Sequence, residues 1–134
     1  MYVPLVDPSG RLSELQQRVR SYPDALRQAI IKKFLWEADF QLDILEKITD
    51  SGDTFFVQAA KVRVLSCLVQ VLYALDRRWY LNEKRAVAEV ARMPLTPENI
   101  VARIDAVMTA DPSSLLVVKD LLADVQQQVN RVLP

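Results

Sequence analysis

The sequence contains no histidine, and this absence excludes a large group of catalytic and metal-binding sites. Serine–histidine and cysteine–histidine catalysis, histidine-ligated zinc, haem bound through histidine and the carboxylate–histidine di-iron sites of helical bundles cannot be built. Glycine is nearly as scarce, since Gly10 and Gly52 are the only two in 134 residues. Phosphate-binding loops need several glycines, so the chain has no Walker or dinucleotide-binding motif.

Cysteine is limited to Cys67, which lies in an apolar segment without a histidine to activate it. We expect a buried, inert thiol, and no disulfide can form within the chain. The longest apolar stretch, residues 64–75, is interrupted by Ser66 and Gln70 and is shorter than the ~20 residues that span a bilayer. No signal-peptide pattern opens the sequence. These features predict a soluble, cytoplasmic protein.

Neither sign of charge is in excess, because 17 basic residues balance 17 acidic ones. Nucleic-acid binders and binders of anionic membranes need a positive excess, so we expect neither kind of partner. The apolar fraction of 51% is typical of a globular protein, and 134 residues suit one domain with one core.

Helical periodicity runs through the chain after an extended lead-in at residues 1–10, and no segment alternates long enough to predict a strand. The spacing predicts helices over residues 11–22, 23–49, 54–75 and 79–92, followed by two more. Residues 11–134 should form one all-α domain, an up-and-down bundle of four long helices plus one or two short ones. Predicted start signals, each an N-cap followed by proline, are Ser21 with Pro23, Thr96 with Pro97, and Asp111 with Pro112.

Two helices carry apolar seams that indicate packed faces. In the second helix the seam is Ile30, Ile31, Phe34, Ala38, Leu42, Leu45 and Ile48. In the last it is Leu115, Val118, Leu122, Val125, Val129 and Val132. Trp36 and Phe40 fall on the opposite, charged face of the second helix. Either another part of the chain covers this aromatic pair, such as a helix or the N-terminal arm, or the pair forms a cleft wall or a partner surface.

The third helix, residues 54–75, is apolar around most of its circumference and should be the central helix. Its polar line, Arg63, Ser66, Gln70, Tyr73 and Arg77, leads into a charged corner at residues 76–84. The line is either a solvent-facing strip or the wall of a groove. The corner is either a structural ion-pair cluster or a site in which Arg77 and Arg78 bind carboxylate or phosphate. Glu83 is the candidate general base.

Residues 72–84, Leu-Tyr-Ala-Leu-Asp-Arg-Arg-Trp-Tyr-Leu-Asn-Glu-Lys, follow a lead-in Asp-Pro-Ser-Gly-Arg-Leu at residues 7–12 and Tyr22-Pro23. Together they resemble the C-terminal helical half of nucleotidyltransferase-like proteins, a bacterial branch distantly similar to kanamycin-type antibiotic nucleotidyltransferases. The resemblance covers essentially the whole chain. It implies a helical bundle that packs against an N-terminal α/β catalytic domain and helps to form the acceptor-substrate pocket.

In the family that this sequence resembles, a Gly-Ser motif and an Asp-x-Asp pair hold Mg²⁺ and the nucleoside triphosphate. This chain has neither motif, so it should be inactive alone and take both groups only from a catalytic domain supplied in cis or in trans. The resemblance implies that a carboxylate of the bundle activates the acceptor hydroxyl, and Glu83 is the candidate for this catalytic role. The residues expected to bind substrate or an anion are Arg63, Gln70, Tyr73, Arg77, Arg78, Asn82 and Lys84.

Three functions remain open at this point. The first is the helical substrate-binding domain of a nucleotidyltransferase-like protein, with the polar line and the charged corner sharing one water-filled hollow. The second is a helical interaction module that dimerises through an apolar face and has no small-molecule site. The third, a stand-alone enzyme, has the least support because activated nucleophiles and glycine-rich loops are lacking.

Overall fold

The computed structural model describes residues 6–109 and 114–133 and shows an all-α protein, as the sequence predicts. The helices are α1 (Arg11–Arg18), α2 (Asp24–Ile48), α3 (Thr54–Leu75), α4 (Ala86–Val90), α5 (Ile100–Val107) and α6 (Ser114–Val132). No strand occurs in these two ranges. Three helices are long (α2, α3 and α6) and three are short, whereas the sequence led us to expect four long ones.

Helices α2 and α3 form an antiparallel hairpin around the short link at residues 49–53. Arg27 near the start of α2 contacts the end of α3, and Glu37 near the middle of α2 contacts Arg63 near the middle of α3. The two helices therefore run in opposite directions. The Asp53 side chain caps α3 by accepting a hydrogen bond from the backbone N–H of Phe56 at 3.0 Å. Helix α6 packs on both members of the hairpin, α4 packs on α3, and α5 packs on α4 and α6.

Helix α3 is the centre of the core, since twelve of its side chains are buried. By length and composition it could cross a membrane, but half of its most apolar 18-residue stretch is buried inside the protein. This is the behaviour of the core helix of a soluble protein. Cys67 lies fully buried in it, and burial raises the pKa of the thiol to about 11. The thiol is therefore inert, as expected.

The apolar seams of α2 and α6 both face the core. Ile31, Ala38, Leu42 and Leu45 of α2 are buried, and so are Val118, Leu122, Val125 and Val129 of α6. The ends of both seams are partly buried, and Leu121, outside the predicted seam, is also fully buried. The regular seam of α6 is consequently used inside the molecule and offers no face to a partner.

Three predicted helix starts differ from the structure or lie outside it. Pro23, in an extended conformation, occupies the N-cap of α2, and Ser21 makes no capping bond. The Thr96 hydroxyl donates to the carbonyl oxygen of Val90 at 2.6 Å, and α5 begins only after Asn99, whose φ is 56°. The third signal, Asp111 with Pro112, lies outside the described residues, as does most of the N-terminal arm.

The predicted helix at residues 79–92 is shortened to α4, Ala86–Val90. Arg85 precedes α4 with φ 63°, a left-handed conformation that cannot continue a helix backwards. The Asn82 side chain accepts a hydrogen bond from the backbone N–H of Lys84 at 2.9 Å, which forms a local turn instead. Glu89 of α4 accepts a hydrogen bond from Tyr73.

Candidate functional site

At the start of the charged corner (residues 76–84), helix α3 ends in a sharp turn at Arg77. The backbone N–H of Arg78 bonds to the carbonyl of Tyr73 at 2.9 Å, and that of Arg77 bonds to Ala74 at 3.1 Å. These two bonds define a Schellman ending, in which the turning residue is usually glycine. Here that residue is Arg77, with φ 56°. The turn reverses the chain and brings residues 79–84 beside the last turns of α3.

Arg27 completes this helix end from the other member of the hairpin. Its Nε donates to the carbonyl oxygen of Ala74 at 3.2 Å, and its Nη2 donates to that of Leu75 at 2.8 Å. The side chain is buried, and its positive charge sits at the negative end of the α3 dipole. Sequence reasoning missed this residue, although it is in register with Ile31 and Ala38 on the core face of α2.

Arg77 and Arg78 each bind a nearby carboxylate. Arg77 Nη2 lies 2.5 Å from Asp24 Oδ1, at the start of α2, and Arg78 Nε lies 2.6 Å from Asp76 Oδ2. About half of each arginine side chain remains exposed. The corner therefore contains the ion pairs of a structural cluster, and its two guanidinium groups face Asp24 and Asp76 rather than a shared groove.

Trp79 anchors α1 to the corner. Its indole N–H donates to the carbonyl oxygen of Val19 at 2.9 Å, and its ring lies 4.7 Å from that of Tyr22. Helix α1 itself buries no side chain. Leu12 and Leu15 on its apolar face are exposed. The contacts of Trp79 thus supply much of what positions α1.

A small pocket, the Tyr73 pocket, lies between the end of α3, the corner and α4. Its volume is about 120 Å³, and its walls are Tyr73, Trp79, Leu81, Asn82, Lys84 and Glu89. Three of these residues, Tyr73, Asn82 and Lys84, were predicted as binding residues. The other three were not, because nothing in the sequence indicates that Glu89 in α4 returns to a residue sixteen positions earlier.

The Tyr73 hydroxyl donates a hydrogen bond to Glu89 Oε2 at 2.8 Å across this pocket. Burial is the main cause that raises the pKa of Tyr73 to about 12, and the bond to Glu89 adds to it. The Tyr80 ring packs edge-on at 5.2 Å. At neutral pH the pocket therefore presents a neutral phenol, a carboxylate, an amide and an ammonium group, which suits hydrogen bonding to a polar, hydroxyl-bearing molecule.

The remaining predicted site residues lie elsewhere. Glu83 lines a second cavity of about 150 Å³ together with Ser66, Tyr80 and mainly apolar side chains. Arg63 pairs with Glu37 of α2. Gln70 donates to the carbonyl oxygen of Ser66 in its own helix at 3.4 Å. The polar line and the corner accordingly contribute to two small cavities rather than to one hollow.

Acidic side chains in the described ranges do not gather into a group that could hold a metal ion. The candidate site is thus a hydrogen-bonding pocket with one carboxylate, Glu89, while the candidate base Glu83 lines the second cavity.

Comparison with known proteins gives one match. A family model described as "Domain of unknown function (DUF4037)" matches residues 3–84, which span α1, α2, α3 and the charged corner. No curated protein matches, and no solved structure matches.

Proposed function

The chain belongs to this family of unknown function, DUF4037, and we propose that it is the helical substrate-binding domain of a nucleotidyltransferase-like protein. On this proposal the chain is inactive alone and works in the cytoplasm against an α/β catalytic domain, joined in cis or bound in trans. The family match runs from residue 3 to Lys84 and so includes all of the residues on which the resemblance depends.

The observation that carries the proposal is the incomplete Tyr73 pocket. At about 120 Å³ it is well below the ~300–1,000 Å³ of ordinary small-molecule sites. Its rim carries Leu81, which is 86% exposed, and Trp79, which is 41% exposed. Large apolar side chains beside polar groups at an open rim are typical of a surface that another polypeptide covers. A second domain on this rim would enlarge the pocket to ligand size.

In the completed site the polar walls would bind the acceptor substrate. Lys84 and Asn82 are exposed and present donors to hydroxyl or phosphate oxygens, while the Tyr73 phenol fixes the Glu89 carboxylate. Glu83 follows Asn82 directly and is exposed, so it is the proposed base for the acceptor hydroxyl. Arg77 and Arg78 would attract anions from beside the pocket, whereas Arg63 and Gln70 do not line it and have no role in this proposal.

The catalytic partner would bring the metal and nucleotide chemistry. Nucleotidyl transfer needs carboxylates that hold Mg²⁺ against the triphosphate, and this chain has no Asp-x-Asp pair to do so. The proposed partner is therefore an α/β domain with a Gly-Ser motif and an Asp-x-Asp pair.

A second candidate function is a helical interaction module without a small-molecule site. Trp36 and Phe40 favour it, because they stack with ring centroids 5.6 Å apart and remain 67% and 48% exposed. This surface lies on α2, away from the Tyr73 pocket, so the two candidate functions can be tested by separate substitutions.

The test is to express the chain with an α/β nucleotidyltransferase domain encoded next to it and to measure complex formation and Mg²⁺-dependent transfer from ATP. We expect transfer only from the complex. Leu81→Glu should prevent complex formation, while Leu116→Glu, at another exposed leucine on α6, should not. Lys84→Met should lower the affinity for the acceptor in the assembled complex, with Lys32→Met as the matched control.

Two results would refute the proposal. One is a coding neighbourhood with no Gly-Ser and Asp-x-Asp segment, either in the same reading frame or beside it. The other is an α/β domain whose binding and activity do not change when Leu81 and Lys84 are replaced.

A further inference from the structure

The outward face of α2 carries a straight stripe of exposed residues that no helix in the described ranges covers. The stripe runs through Ala29, Lys33, Trp36, Phe40, Asp43 and Lys47, and all six are exposed. Their spacing alternates four and three residues, which keeps them on one line of a helix. At 3.6 residues per turn this line lies roughly 180° from Ile31, Ala38 and Leu45 in the core. The stripe is thus the most outward line of the helix.

The residue types along the stripe, read in one direction, complement the same residue types read in the opposite direction. Positions 33, 36, 40 and 43 read basic, aromatic, aromatic, acidic. Suppose that a second α2 lies antiparallel on the stripe, with the two-fold axis at the level of Ala38 along the helix. Trp36 then faces Phe40 of the second copy. Lys33 then faces Asp43, and the same contacts occur again across the axis. A two-fold interface requires this self-complementarity of one patch.

A parallel pairing of the same stripe would place Lys33 against Lys33 and Asp43 against Asp43. Like charges directly opposite each other destabilise a helix pair, so charge selects the antiparallel arrangement. The acidic residues on the flanks already have partners in their own chain. Glu37 pairs with Arg63, and Asp39 accepts a hydrogen bond from Gln126 at 3.1 Å. Their charges are therefore directed away from the line of contact.

We propose that the chain forms a two-fold dimer through an antiparallel α2–α2 contact, with Trp36 packed on Phe40 of the second copy and Lys33 paired with its Asp43. The contact would extend about 27 Å along the helix, from Ala29 to Lys47. It would cover the stacked aromatic pair, which is otherwise the largest exposed ring surface on α2. This dimer does not depend on the proposed catalytic partner, because the Tyr73 pocket remains open in it.

Association is tested by sedimentation velocity over a concentration series of the full chain. The wild-type chain should sediment as a dimer whose fraction rises with concentration. Trp36→Glu should weaken association roughly 100-fold or more, as expected for an aromatic at the centre of an interface. Phe55→Glu, a replacement of an exposed aromatic on α3, should have no effect. All of these positions are exposed, so circular dichroism should show unchanged folding.

Charge reversal tests the pairing itself. Lys33→Glu and Asp43→Lys should each weaken the dimer roughly tenfold, since each replaces two attractive pairs by two repulsive ones. The double variant restores opposite charges and should return association to near the wild-type value. A double variant as weak as the two single ones would refute the pairing.

Cysteine crosslinking tests the direction. Brief oxidation of the Lys33→Cys, Asp43→Cys double variant should give a covalent dimer, whereas Lys33→Cys alone should not, because antiparallel helices separate the two copies of residue 33 by about 15 Å. Native Cys67 is buried and serves as the silent background. Rapid crosslinking of Lys33→Cys alone, or a chain that stays monomeric at its solubility limit, would overturn the proposal.

Discussion

The guanidinium group of Arg27 binds the end of α3, where its Nη2 lies 2.8 Å from the carbonyl oxygen of Leu75. This contact joins the first turn of α2 to the last turn of α3. It satisfies carbonyl groups that a helix leaves without partners at its end. The charged corner is built directly on this contact, so its geometry depends on a residue far from it in the sequence.

Replacement of Arg27 should therefore destabilise the fold. Arg27→Ala leaves the carbonyl oxygen of Leu75 without its partner and removes one of the two hydrogen bonds to Ala74, so it should lower the free energy of unfolding by about 1–3 kcal/mol. Urea denaturation followed by circular dichroism measures the change. Arg20→Ala, at an exposed position next to α1, should change the stability by less than about 0.5 kcal/mol. Equal effects of the two substitutions would show that the Arg27 bonds add no stability.

The left-handed conformation of Arg85 predicts a stabilising substitution. Its φ of 63° is unfavourable for any residue with a Cβ atom. Arg85→Gly should raise the free energy of unfolding by about 0.5–1 kcal/mol. Arg85→Ala, which removes the charge but keeps the Cβ, should leave it nearly unchanged. If alanine stabilises as much as glycine, the effect comes from the charge and not from the backbone.

Trp79 should control access of proteases to α1. Trp79→Phe removes the hydrogen bond to Val19 and loosens the contact with Tyr22. Because α1 buries no side chain of its own, trypsin should cleave after Arg18 and Arg20 several-fold faster in this variant. Trp36→Phe is the matched control and should leave the cleavage rate as it is. Peptide mapping over a time course gives both rates.

The Tyr73–Glu89 bond should appear in the dependence of stability on pH. The pKa of Tyr73 is raised from 10.0 to about 12, so the folded state holds the phenolic proton more tightly than the unfolded state does. Its contribution to stability is complete below pH 10 and is lost as the pH rises towards 12. Tyr73→Phe should reduce the fall in urea midpoint across this range. A fall of the same size in Tyr73→Phe as in the wild-type chain would contradict the assignment, and Tyr22→Phe tests whether any tyrosine gives the effect.

Leu121 tests the packing of α6. It is fully buried, so Leu121→Ala should cost about 2–5 kcal/mol through lost contacts and a cavity. Leu116→Ala, in the same helix but 62% exposed, should cost less than about 1 kcal/mol. Both changes are measured by chemical denaturation. A small effect at Leu121 would mean that α6 does not pack as described.

The sequence predicts the long helices well because burial repeats along them with the helical period. In α2, the side chains of Ile31, Ala38 and Leu45 face the core of the protein, as their spacing requires. N-cap residues followed by proline are weaker signals, and Thr96 shows why. Its hydroxyl has an alternative acceptor, the carbonyl of Val90, which only the folded chain brings within reach.

The site was predicted only in part, because the partner of a charged side chain depends on which residues the fold brings close to it. The sequence left open whether the charged corner is a structural cluster or a binding site, and it did not indicate that Arg77 pairs with Asp24 of α2 while Arg78 pairs with Asp76. Glu89 and Arg27 could not be assigned, because their contacts bridge 16 and 48 residues. Periodicity reports which face of a helix is buried and carries no information about such distant contacts.

The antiparallel order of α2 and α3 also implies an order of assembly. Contacts beside Gly52 close the shortest loops, while the contact of Arg27 with Leu75 closes the longest, and loop-closure entropy grows with that length. The contacts of the hairpin should accordingly form first next to Gly52 and then progressively further from it, and the contact of Arg27 with the end of α3 should form last. The same end should be the first to fray, so the segment that carries the Tyr73 pocket should open while the rest of the core stays closed.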